Sequence, residues 1–179
     1  MGEGRADEEL MAAYRGGDAR AFETLYARHR TRLFRFILRS VKTRAVAEEL
    51  YQEIWMRVIE ARGTYTVRAR FTTWLYSIAH NRLVDHWRKR GLTLVSLEGD
   101  DVAGGAPDPA DQAQAREALA RFAAALEALP PLQREAFLLH EEGDLSVAEI
   151  AAATGSSEEA AKSRLRYAMA KLKAVLDDG

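Results

Sequence analysis

Apolar residues recur in this sequence at intervals of three and four, and that spacing restricts the chain to packed helices. Phe71, Leu75, Ile78 or Ala79, and Leu83 form one such stripe in FTTWLYSIAHNRLVDHWRKR. Thr72 or Thr73 stands where a cap is needed and Gly91 where the helix would stop. Three helices precede it. Asp7 caps a short one bearing Leu10, Met11 and Tyr14, ended by Gly16-Gly17. Asp18 caps a longer one to about Val41, with Phe22, Leu25, Tyr26, His29, Leu33, Phe36 and Ile37 on its buried side. His29 reads there as a satisfied core histidine. A third helix spans about 44–62 and stops at Gly63, with Ala47, Leu50, Ile54, Val58 and Ala61 facing inward.

Residues 91–113 break this pattern. Gly104-Gly105, Pro107 and Pro109 punctuate them, and they hold five acids and no Lys or Arg. The charge balance changes at the same place. Residues 1–90 carry 18 Lys and Arg against 11 Asp and Glu, whereas the whole chain has a net charge of −1. A basic front half beside an acidic connector implies a polyanionic partner for the front. The expected architecture is all-α, with two small helical domains on a flexible acidic linker: 1–90, then 91–113, then 114–179.

Composition narrows the function classes. There is no cysteine, which excludes disulfides, cysteine-zinc sites and thiol catalysis. His80 and His86 fall on different helix faces, and no H-E-x-x-H or glycine-rich phosphate loop occurs. The expectation is a non-enzyme with no metal and no cofactor. The acidic N-terminus does not resemble a signal peptide and no apolar run approaches membrane-spanning length, so a cytoplasmic protein without membrane insertion is expected.

The 71–90 segment also concentrates aromatic and cationic side chains. Trp74, Tyr76, Asn81, Arg82, Trp87 and Arg88 do not all fit beneath one apolar stripe, so several are expected at the surface, with Asp85 the only acid. Exposed rings beside cations hold unstacked bases, at about 1–3 kcal/mol per stacked base, while the cations follow phosphates. The preceding basic stretch, 64–70, reads as a loop offering Tyr65, Arg68 and Arg70. An amphipathic core helix with a basic end explains this segment equally well when it is taken alone. On the third helix, Trp55 and Met56 fall off the buried stripe, which suggests a partner surface.

Beyond the break, Leu119, Phe122, Leu126 and Leu129 restore helical spacing, and Pro130-Pro131 separates that helix from the next. Two capping-box patterns follow, Ser146 with Glu149 and Ser156 with Glu159, around a turn at Thr154-Gly155. Two capped helices joined by a glycine turn make a helix-turn-helix. Glu159, Ala160, Lys162, Ser163 and Arg164 would then reach base edges, and Ser157, Arg166 and Tyr167 phosphates.

Taken together, these residues resemble a bacterial RNA polymerase sigma factor of the extracytoplasmic-function (ECF) group, over about residues 18–176. Three segments carry the resemblance. Glu49-Leu50-Tyr51-Gln52-Glu53 is similar to the family's polymerase-binding signature, which implies that Glu49, Leu50, Gln52, Glu53 and Trp55 meet the clamp of the largest subunit of core RNA polymerase. Residues 71–79 with Asn81, Arg82, Asp85 and Arg88 resemble the segment that melts and reads the −10 promoter element. Leu129-Pro130, Arg134, Phe137 and Lys162-Ser163-Arg164-Leu165 resemble the domain that reads the −35 element. The resemblance implies promoter DNA, duplex and single-stranded, as ligand and an anti-sigma protein as a further partner. One departure stands out: the recognition helix opens with Glu159-Ala160-Ala161, where the family usually has Gly-Thr-Val. A stand-alone helix-turn-helix regulator is the alternative. It would bind duplex DNA tightly without polymerase.

Overall fold

A computed structural model describes residues 4–92, 94 and 111–178. Among the described residues every long element is helical. The helices are α1 (Asp7–Arg15), α2 (Ala19–Ser40), α3 (Arg44–Ala61), α4 (Phe71–Lys89), α5 (Asp111–Ala128), α6 (Pro131–Glu141), α7 (Val147–Thr154) and α8 (Glu158–Asp177). A single 3-10 turn, Arg62–Thr64, follows α3. The central part of the expected linker lies outside the described residues.

Helices α1–α4 form the front unit. Leu25, Leu33, Phe36 and Ile37 of α2 meet Ile54 and Val58 of α3 and Phe71, Leu75, Ala79 and Leu83 of α4 in one core. Trp87 closes the far end of that core, fully enclosed, its indole N–H donating to the Ser40 carbonyl at 3.3 Å. Truncating so enclosed a ring costs about 3–5 kcal/mol. Helices α5–α8 form the second unit around Leu126, Leu139, Ile150, Ala161, Leu165, Ala168 and Leu172.

Several ends differ from the local expectation. Asp7 is no cap: it lies inside α1, and Ala6 in the cap position makes no side-chain bond. The Asp7 carboxylate instead pairs with His29 at 2.8 Å and Arg28 at 3.0 Å, which satisfies the histidine as expected. Neither Thr72 nor Thr73 caps α4, because both lie buried inside its first turn. Ser146 and Glu149 form the complete capping box of α7, and Gly155 ends that helix in the left-handed region at φ 61°. Ser157, one residue later than expected, caps α8 by accepting from the Ala160 N–H at 3.1 Å. Ser156 is drawn away into a hydrogen bond with Thr154 at 2.9 Å.

The two units pack directly on one another. The turn between α6 and α7 seats against α4, with Gly143 so close to Tyr76 that an added Cβ would stand 3.3 Å from its ring. Three carboxylates of the second unit meet the first. Glu142 is buried and accepts from Arg39 at 2.8 Å and pairs with Arg35 at 3.2 Å. Glu135, wholly enclosed, lies 2.6 Å from His80 Nδ1. Glu149 accepts from the Thr73 hydroxyl at 3.1 Å and from Arg70 at 3.3 Å.

Candidate nucleic-acid and polymerase surfaces

The outer face of α3 presents Glu48, Glu49, Gln52 and Met56 to solvent. Met56 is 54% exposed, as its position off the apolar stripe predicts. Two neighbours are not available. Leu50 points into the core, and Trp55 is 5% exposed, which corrects its expected place on a partner surface. Trp55 sits edge-on to Phe22 at 5.9 Å and Tyr26 at 5.0 Å, while Tyr51 and Tyr26 join hydroxyls at 3.1 Å. A second apolar neighbour, α2, makes α3 bury more than one stripe. Glu53 is turned toward α4, where it pairs with Arg82.

On α4 the structure separates the aromatic residues that the sequence grouped together. Tyr76 is 1% exposed, edge-on to Phe36 at 5.2 Å, so it belongs to the core rather than a strand-binding face. Burial pushes its phenol pKa up, and the Glu142 charge adds to this, so it stays protonated. Tyr65 is likewise buried, at 3%, with Trp74 edge-on at 4.9 Å and Phe71 at 6.4 Å. Trp74 is half-buried. The ring that remains partly accessible beside the 62–70 loop is therefore Trp74. Arg68, Asn81 and Arg88 are exposed as expected. Arg82 is half-buried and held by Glu53 and by Asp85, the latter at 3.3 Å, so neither Arg82 nor Asp85 is unengaged. Arg70 is exposed but paired with Glu149. That carboxyl is disfavoured by burial, yet hydrogen bonds from Ser146 and Thr73 and the Arg70 charge together hold its pKa below the ordinary glutamate value.

In the second unit α8 carries Glu159, Lys162 and Arg166 exposed, with Ala160, Ser163, Arg164 and Tyr167 half-buried. The Arg166 guanidinium lies 5.4 Å from the Tyr167 ring centroid. Small residues and cations at the start of a capped second helix suit insertion into a major groove. Arg134, expected to carry family resemblance, is buried and donates to the Glu127 carbonyl at 3.2 Å, joining α6 to the end of α5.

The two units coincide with two family matches. Residues 25–93 match Sigma-70 region 2, and residues 119–172 match Sigma-70 region 4. The chain is 36% identical over 171 residues to RNA polymerase sigma factor CarQ of Myxococcus xanthus, covering 94% of this chain and 96% of CarQ. It belongs to the ECF sigma factors.

RNA polymerase sigma factor CnrH of Cupriavidus metallidurans is 33% identical over 181 residues, covering 96% of this chain and 95% of CnrH. The structure of CnrH in complex with the cytosolic domain of CnrY is similar at a TM-score of 0.71 and 28% identity, over 97% of this chain and 98% of that one. The sigma factor RpoE of Bartonella quintana, solved with the anti-sigma factor NepR, matches at 0.66 and 25% identity, over 87% of this chain and 96% of that one. This sigma factor is thus a promoter-directing transcription initiation factor whose partners are core RNA polymerase and promoter DNA. The presence of region 2 sets aside the stand-alone regulator. Among the described residues no helix is long and apolar enough to cross a membrane.

Residues absent from the expected site emerge from the fold. The Glu8 carboxylate accepts from the Phe71 N–H at the start of α4, and Arg35, Arg39, His80, Glu135 and Glu142 form the contact between units. Their partners lie 55 to 107 positions away, so no local pattern reveals them.

Proposed function

We propose that Glu49, Gln52 and Met56 on the outer face of α3 bind the polymerase clamp, with Leu50 and Trp55 supporting that face from within. The 62–70 loop and α4 hold the opened −10 strand, Trp74 meeting a base and Arg68, Asn81 and Arg88 following the backbone. Arg164 and Lys162 at the start of α8 read the −35 element, with Ser157, Arg166 and Tyr167 at phosphates. The observation supporting this division is that the two matched regions, 25–93 and 119–172, coincide with the two packed units. An unstacked base costs a few kcal/mol to extrude, which stacking and charge contacts offset.

Binding both elements at once requires the units to part. Elements centred at −10 and −35 lie roughly 85 Å apart at about 3.4 Å per base pair. In the present arrangement Glu149 at the start of α7 touches Arg70 and Thr73 at the start of α4. One acid of region 4, Glu149, therefore occupies Arg70, a region 2 cation placed for nucleic acid. A protein inhibitor, an anti-sigma factor, is a further proposed partner, because the related RpoE was solved bound to one.

The test is run-off transcription with bacterial core polymerase, with and without the chain, on promoters that the assembled holoenzyme selects from a randomised library. Each promoter is supplied as duplex and with a pre-melted bubble. Sequence-selective initiation only in the presence of the chain is expected. Absence of binding to core, with tight duplex binding by the chain alone, would refute the reading.

A further inference from the structure

Helix α1 precedes the segment matched to region 2, which begins at residue 25. Yet its polar side chains reach both feet of the 62–70 loop. At the exit, the Phe71 N–H that opens α4 donates to Glu8 Oε1 at 2.8 Å. Helix α4 has no cap of its own, since Arg70 in the cap position makes no side-chain bond to the first turn. A helix start leaves several N–H groups unpaired and carries partial positive charge, and a carboxylate there satisfies both conditions. Glu8 thus acts as a cap from a residue 63 positions away.

At the entrance, Arg15 donates to the Tyr65 carbonyl at 2.9 Å. Arg62 donates to the Tyr14 hydroxyl at 3.3 Å and lies over the same ring at 5.2 Å. Between the feet, Tyr65 wedges its ring against Phe71 and Trp74. Leu10 and Met11 are fully buried, so α1 is itself anchored in the core, and Asp7 fastens it to α2 through His29 and Arg28. The loop is therefore gripped at Arg62, Tyr65 and Phe71 while Thr66, Val67, Arg68 and Ala69 stay exposed.

We propose that α1 is the positioning element of the −10-reading loop, with Glu8 and Arg15 fixing where the exposed tip stands relative to Trp74. The inference rests on the −10 role assigned above to this loop. Base selection in a pocket depends on sub-ångström placement of its walls, so loosening either foot degrades discrimination more than it degrades anchoring through phosphates.

The experiment uses holoenzyme assembled on core polymerase and short single-stranded non-template oligonucleotides carrying the −10 sequence selected above or single-base substitutions of it. The readout is the ratio of affinities for selected and substituted strands. Glu8→Ala and Arg15→Ala are each expected to lower that ratio about fivefold, the scale of a lost helix cap for the first and of a lost hydrogen bond for the second. Glu8→Gln, which keeps an acceptor for the Phe71 N–H, restores most of it. Glu9→Ala, the same charge change on an exposed neighbour of α1, leaves it unchanged. Core affinity and binding to upstream duplex stay at the parental level throughout, and thermal unfolding confirms that each variant is folded at the assay temperature. Unaltered ratios in folded Glu8→Ala and Arg15→Ala, or an equal loss in Glu9→Ala, would overturn the proposal. A parental holoenzyme with no base preference in single strands would instead overturn the −10 assignment itself.

Discussion

Replacing Glu142 by Ala should open the contact between the two units. The Glu142 carboxylate is buried and meets Arg39 at 2.8 Å and Arg35 at 3.2 Å, both guanidinium groups being about half exposed. A hydrogen bond to a charged group contributes about 1.5–3 kcal/mol when sheltered, but an exposed ion pair contributes only about 0–1 kcal/mol. Half-exposed arginines place each pair near the lower range, so the two together stabilise the closed arrangement by about 1–2 kcal/mol. The second unit should not suffer by itself. Glu142 stands at the C-terminal end of α6, where a carboxylate faces the negative end of the helix dipole, so removing it there is neutral or mildly favourable. The closed-to-open ratio is therefore expected to fall about 5- to 30-fold. Because the chain has no cysteine, single cysteines at Met56 of α3 and Met169 of α8, both exposed, accept a dye pair for single-molecule energy transfer. The parental protein should also open as salt rises, since the screening length shrinks from about 10 Å at 0.1 M to about 3 Å at 1 M. A Glu142→Ala protein whose distance distribution matches the parental one at low salt would refute the argument that these ion pairs hold the units together.

Three further outcomes follow from the same geometry. Gly155→Ala places a Cβ in the left-handed region at φ 61° and should lower stability by about 1 kcal/mol, read as a lower thermal midpoint in the isolated chain. Burial disfavours the Asp7 carboxylate, but His29 and Arg28 outweigh this and leave its pKa below the ordinary aspartate value. A depressed folded pKa contributes stability above the unfolded value, lost as pH falls through the folded one. Unfolding by denaturant should therefore show a loss below about pH 4 that Asp7→Asn reduces. Arg164→Ala should weaken binding of holoenzyme to the upstream element. An unchanged salt slope with altered sequence preference would place Arg164 at a base, and a slope shallower by about one would place it at a phosphate.

Much of the architecture is legible in the chain itself. The apolar stripes of α2, α3 and α4, the stop at Gly91, the capping box of Ser146 and Glu149, and Gly155 between α7 and α8 are all patterns of spacing or contact within a few residues. Helical period and cap chemistry are local, so sequence order is enough to read them. The charge change after Arg90 and the basic α8 likewise need only counting. The aromatic residues were harder. Trp55, Tyr65, Tyr76 and Trp87 all stand off a single stripe or in a loop, yet all are buried. A periodicity argument assigns one buried face per helix, whereas α4 packs on α2 and α3 on one side and against the α6–α7 turn on another. The cap of α4 comes from Glu8, and the acids that meet Arg35, Arg39, Arg70 and His80 come from the far unit. The sequence by itself therefore determined the helices, some of their ends and the two-unit plan. Tertiary structure alone decided which rings stay accessible, what caps α4 and which cations are already paired, because burial and pairing depend on groups that only folding brings within contact distance.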